Sequence, residues 1–263
     1  MFVGKGTVVK VERVKRKKYV YDLTTSDHNY FANGVLVHNS DMLIEAANAK
    51  QLIDIPATQL IERGYLVPPT VYLFNIKHSK QDRTDSLYPE IYDAEVVNNI
   101  DRNKLVVQSA IKAASLNKTV LIAVTKVEHG QILEAMLQAI EPDSIFVFGE
   151  SETDIRQQVL SELDQRKRKI VIAIIIFGEG IDCPNLDVLI NAKASASSVD
   201  AFQLIGRVLR KTDQKKRAYV IDMCDKQCKY ISAHTNSRLK IYQTESGYEL
   251  KDVFSVNEMD FSE

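Results

Sequence analysis

The sequence predicts an α/β protein, a parallel sheet covered by helices on both faces, preceded by a small all-β segment. Three observations carry that expectation. After residue 100, apolar strands alternate with amphipathic helices; those strands are continuous apolar runs rather than in-and-out alternations; and the first 39 residues differ from the rest in both period and charge. Continuous apolar strands indicate burial on both faces, which is the condition of a parallel sheet between helical layers.

Composition narrows the class. Hydrophobic residues are 45% and charged residues 26% of the 263, with no long uninterrupted apolar run, which excludes a disordered chain and argues against a membrane span. The net charge of -1 gives no bulk argument for a nucleic-acid partner. Its distribution is more informative: residues 1–39 hold seven basic side chains against three acidic ones, a net +4. Cys183, Cys224 and Cys228 are odd in number and lack framework spacing, so a reducing, cytoplasmic setting is expected. Cys224 and Cys228 read as ordinary helix residues rather than, with His234, metal ligands.

In chain order, residues 7–37 read as short strands: TVVKVERV, KYVYDLTT, and GVLV after Asn33-Gly34. A β-rich piece of this size buries too little surface to be stable alone, so it is expected to need another chain. Residues 40–68 read as a connector, with a helix at ATQLIERG, Gly64 as its stop and Pro68-Pro69 as a stiff entry into VYLFNI. The main domain, residues 69–245, is expected to carry strands at 119–125, 145–148, 170–176, 187–190 and 218–223, with helices near 102–116, 127–140, 152–167 and 199–211. Residues 246–263 form an acidic tail.

The first chemistry is His38-Asn39-Ser40. An Asn side-chain amide can attack its own backbone carbonyl, forming a succinimide and breaking the following peptide bond. A preceding His polarises that carbonyl, and a following Ser hydroxyl can hold an ester during acyl transfer. Alone, the triplet is also an ordinary turn.

The second lies in IVIAIIIFGEGIDCPNLDVLI and AFQLIGRVLR. Gly178 and Gly180 allow close backbone approach to a ligand, and Asp182 can accept from hydroxyls or cap a helix. Gln203, Arg207 and Arg210 are spaced by four and three, one face of a helix, with Gly206 expected to admit a neighbour. Two guanidiniums on an otherwise apolar stripe suit a phosphate.

Residues 21–40, YDLTTSDHNYFANGVLVHNS, closely resemble the C-terminal splicing block of inteins. The resemblance implies that Asn39 cyclises, His38 assists, Ser40 is the first extein residue and acyl acceptor, and Asp22 and His28 support acyl transfer and cyclisation; a hydrogen-bonded core histidine is the other reading of His28. With 39 residues before the junction, beginning at Met1, the segment is similar to C-terminal halves of split inteins. It implies a partner chain carrying an N-terminal intein half, and the +4 charge would steer that encounter unless Lys15 to Lys18 is only a solvated turn.

The Gly180/Asp182 loop and the Gln203/Arg207/Arg210 helix resemble motifs V and VI of superfamily 2 helicases. TVLIAVTKVEHGQILEAML is similar to motif IV, and IPATQLIERGYLVPP to the link after motif III in the XPB-like and phage UvsW-type branch. The resemblance implies a RecA-like lobe in which Arg210 is the arginine finger, Arg207 its neighbour, Gln203 a nucleotide or coupling contact, and Gly180 with Asp182 the loop facing nucleotide. Ile174 and Ile175 depart from the usual Ser or Thr there, which weakens any hydroxyl contact to nucleic acid.

No G-x-x-x-x-G-K-[ST] loop and no Asp-Glu-x-His or Asp-Glu-Ala-Asp motif occurs. The chain alone is therefore expected not to hydrolyse ATP. The combined expectation is a precursor: trans-splicing removes residues 1–39 and joins Ser40 to a partner's first helicase lobe, completing an ATP- and Mg-dependent helicase on DNA, branched DNA included, or RNA, while splicing itself needs no cofactor. The alternative is a fragment of a contiguous or decayed intein-containing helicase gene, acting only as a nucleotide- or nucleic-acid-binding lobe.

Overall fold

The continuous apolar runs become the central strands of one parallel sheet. A computed structural model describes residues 29–32, 35–38, 56–76, 87–149, 153–174, 183–195, 205–226 and 229–262. Contacts divide the chain into Met1–Asp54 and Ile55–Glu263.

In the first unit the described residues form a hairpin: β1 (Asn29–Ala32) pairs antiparallel with β2 (Val35–His38), Ala32 opposite Val35 and Asn29 opposite His38. The rest of the expected β segment lies outside the described residues.

In the second unit, α1 (Ala57–Glu62) leads to β3 (Pro69–Asn75). Helix α2 (Tyr88–Tyr92) runs through a π-helical turn toward α3 (Ile100–Ser115). Then come β4 (Val120–Val124), α4 (Val127–Gln138), β5 (Ile145–Val147), α5 (Thr153–Asp164), β6 (Ile170–Ile174), β7 (Val188–Asn191), β8 (Ala218–Cys224), α6 (Lys229–Thr244) and β9 (Glu249–Val253). The seven strands lie in the order β5-β6-β4-β7-β8-β3-β9, each described pair parallel.

Alternate residues of each strand face two apolar layers. Tyr72, Phe74, Ile122 and Ile221 meet α3 and α4 through Val106, Ala110, Leu133 and Leu137. Val71, Leu121, Ala173 and Val220 meet Val159 and Leu163 of α5, Tyr242 of α6, and Cys183, Leu186, Ile205, Val208 and Leu209. The two segments singled out for nucleotide chemistry thus bracket residues packed on the same face of the sheet.

The helices stop where backbone chemistry dictates. Gly64 has φ +75, with its amide on Ile61 O and the Tyr65 amide on Leu60 O, so the expected glycine stop closes α1. Asn117 (φ 60) ends α3 in the same way. Arg166 (φ 58) follows α5 in a conformation that is costly for a side chain with a Cβ, and its guanidinium is held by both Asp187 oxygens at 2.7 and 3.0 Å.

Three expectations change. Residues 246–263, set apart as a tail, supply edge strand β9, and Met259 and Phe261 are buried in the core. Residues 56–67, read as connector, pack on the same unit: Glu245 accepts from the Ala57 and Thr58 amides at 3.2 and 2.9 Å. Cys224 ends β8 rather than lying in a helix, because AYVIDMC is buried along its whole length, and Cys228 lies outside the described residues.

Candidate functional site

Of the residues expected to carry chemistry, Asp22, His28, Asn39, Ser40, Gly180, Asp182 and Gln203 lie outside the described residues. His38 closes β2. Arg207 and Arg210 are the two whose surroundings the structure gives.

Residues 205–208 are helical, and Arg210 leaves that turn in an isolated antiparallel bridge with Leu66. The Leu209 amide donates to Ile205 O at 3.0 Å, and Leu209 O accepts from the Val67 amide at 2.9 Å. Ile205, Val208 and Leu209 are buried, while Arg207 and Arg210 are half-buried. The three apolar anchors fix the backbone, and because the helix stops at Val208, Arg207 and Arg210 do not share one helical face as their three-residue spacing predicts. Among the described residues, a Cβ at Gly206 would meet nothing within 4 Å, so none of them makes the close approach expected there.

Lys215 lies beneath this segment, 2% exposed. Its Nζ donates to Pro184 O at 3.3 Å and to the carbonyls of Leu186 and Val208. Burial pushes its pKa down to about 8, partly opposed by the charge of Asp187. Asp187 itself accepts from the Thr119 amide at 3.0 Å and from Arg166. These groups gather where β7 and β8 begin.

The carboxyl ends of the strands hold a different set. Arg238 donates through Nε and Nη2 to Asp222, which also accepts from Asn191 Nδ2 at 3.2 Å and from the Tyr242 hydroxyl. Arg102 forms a forked pair with Asp225 at 2.9 and 3.0 Å, both side chains fully buried. His129 Nε2 meets Asn103 Oδ1 at 2.9 Å, and burial, reinforced by the Arg102 charge, pushes its pKa down to about 3, so the ring is neutral. Burial pushes the Cys224 thiol up, which keeps it protonated.

Arg102 and Arg238 are therefore committed to carboxylates. Arg207 and Arg210 are the guanidiniums that lie half-exposed on the pinned segment, a donor set that fits polyphosphate oxygens. Among the described residues no group of three His, Cys, Asp or Glu is placed to hold a metal ion, and no helix is long and apolar enough to cross a membrane.

Sequence reasoning did not single out Lys215, Asp222, Asp225, Arg102 or Arg238. Asp222 had a signal, a lone charge inside AYVIDMC; Lys215 had none, because QKKRA reads as a solvated basic run.

Comparison with known proteins gives likenesses for part of the chain. Residues 101–212 match the helicase conserved C-terminal domain, a span that includes Arg207 and Arg210. The ATP-dependent DNA helicase uvsW of Enterobacteria phage T4 is 30% identical over 125 residues, 47% of this chain and 25% of that protein. A stretch of 36 residues is 58% identical to the probable translation initiation factor IF-2 of Pyrococcus furiosus, covering 14% of this chain and 4% of that protein. The crystal structure of T4 UvsW superposes with a TM-score of 0.57 at 24% identity, covering 71% of this chain and 41% of that one. The parallel α/β lobe thus has the RecA-like helicase fold, and the chain covers a quarter of its T4 relative in the sequence alignment and 41% of it in the superposition.

Proposed function

We propose that this chain, whose residues 101–212 are a helicase C-terminal domain homologous to ATP-dependent helicases, is a trans-splicing precursor that supplies motifs IV to VI of a superfamily 2 DNA helicase. The observation that carries the reading is a helicase C-terminal domain preceded by a block ending in His38-Asn39-Ser40.

In this reading, Ser40 Oγ receives the acyl group from the partner half. The Asn39 side-chain nitrogen attacks the Asn39 carbonyl carbon, the bond to Ser40 nitrogen breaks, and residues 1–39 leave with a succinimide end. The freed Ser40 amine then takes the acyl group from its own oxygen, restoring a peptide bond. His38, Asp22 and His28 hold and move protons in these steps.

In the joined enzyme ATP supplies the phosphoryl group, and Mg²⁺ would be held by the partner lobe. Arg210 and Arg207 donate to the terminal phosphates, with Gln203, Gly180 and Asp182 facing the nucleotide. Support comes from the half-exposed pair on a fixed backbone. An arginine supplied across lobes is worth about 10³ to 10⁵ in rate once a nucleotide is held. DNA is the nucleic acid favoured by the likeness to the T4 DNA helicase.

The test mixes the purified chain with an N-terminal intein half fused to a first helicase lobe. A ligated product, an excised 39-residue peptide and nucleic-acid-stimulated ATP turnover are expected, with Asn39→Ala abolishing ligation. ATP turnover at helicase rates by the unmixed chain would refute the reading.

A further inference from the structure

Lys215 has no place in the chemistry above. It belongs to Lys215-Lys216-Arg217, of which Lys216 is exposed and Arg217 half-buried, while Lys215 alone turns inward. Surface solubility does not account for an ammonium at 2% exposure.

Its acceptors are main-chain carbonyls of two segments far apart in sequence. Pro184 and Leu186 follow Asp182 within four residues, and Val208 lies between Arg207 and Arg210. The Arg210 backbone is held from the other flank by Leu66 and Val67. Asp187 and Asp164 favour the lysine charge, as does Cys183, and Arg166 opposes it. Asp187 is already engaged by Arg166 and Thr119. The ammonium is therefore lodged on carbonyl dipoles, an arrangement that fixes geometry at a desolvation cost.

We infer that Lys215 is a positioning residue, a single ammonium that ties the chain leaving the Gly178–Asp182 motif to the helix end carrying Arg207 and Arg210, so that the two segments move as one piece. The inference rests on the reading of Arg207 and Arg210 as phosphate-binding residues. Three donors on one tetrahedral nitrogen meet three carbonyls, so a shift of either segment breaks a charge-assisted bond to the other. A methionine of similar length fills the volume but donates nothing.

The experiment compares the full chain with Lys215→Met by amide hydrogen exchange, reading the Leu186 amide, which donates to Cys183 O, and the Leu209 amide, which donates to Ile205 O. Both are expected to exchange about tenfold faster in the variant, with β4 and β6 unchanged. Lys215→Arg, which keeps charge and donors, should recover part of the protection. After joining to the missing lobe, Lys215→Met should lower kcat about tenfold or more with KM for ATP little changed. Unchanged exchange at both amides, or equal acceleration throughout the sheet, would overturn the inference. Failure of the joined wild-type enzyme to turn over ATP would refute the functional reading, leaving the exchange result to judge the tie. If Lys215→Met does not fold, Lys215→Gln, with two donors on a shorter stem, takes its place under the same criteria.

Discussion

The two ends of the sheet bury charge in opposite ways. At the carboxyl ends of β7 and β8, each buried guanidinium meets a carboxylate: Arg238 with Asp222, Arg102 with Asp225. At the amino ends of the same strands, Lys215 is buried on main-chain carbonyls. The first device is strong and intolerant, because losing one partner strands the other charge in a dry interior. The second is weak for stability and demanding in geometry. The difference separates the part of the lobe that holds the fold from the part suited to holding a reactive segment in register.

Asp222→Ala should therefore cost the most, about 3–5 kcal/mol in urea unfolding, because Arg238, Asn191 and Tyr242 all lose their acceptor. A loss under about 1 kcal/mol would erase the distinction between the two ends. Acid tests the same region next. His129 has a folded pKa of about 3 against 6.5 unfolded, so the unfolded chain takes up a proton between those values. Its contribution to stability is lost as pH falls from 6.5 toward 3, at up to about 1.4 kcal/mol per pH unit. Midpoints measured from pH 7 to pH 4.5 should show a slope that is reduced in His129→Gln. Gly64→Ala should cost about 1–2 kcal/mol, since φ +75 disfavours any Cβ, and thermal melts would read it. Lys215→Met should change global stability least, within about 1 kcal/mol in either direction, because relief of the buried charge offsets the lost bonds; a larger loss would make the amino end as intolerant as the carboxyl end.

What was legible in the sequence follows the same division. Strands β4, β6, β7 and β8 were read within a few residues because burial on both faces leaves an unbroken apolar run. Helices α3, α4 and α5 were read from their stripes, and α1 from its glycine stop. Helix α6 was missed because its inward stripe, Ile231, Thr235, Arg238, Ile241 and Tyr242, carries an Arg and a Thr where an apolar period was sought. Strand β9 was missed because at the sheet edge only Val253 of ELKDV is buried. In the candidate site, Arg207 and Arg210 were visible from spacing and resemblance. Lys215 was not, because whether a lysine turns in or out is decided by carbonyls that only the folded chain brings near.

The strand order also bears on how the chain is made. Among the described strands of the lobe the first in sequence, β3, lies between the two that come latest, β8 and β9. From the emergence of Asn75 to that of Ala218, β3 has neither neighbour, an interval on the order of ten seconds at ordinary translation speed. The sheet therefore closes around β3 only once β8 and β9 have been made.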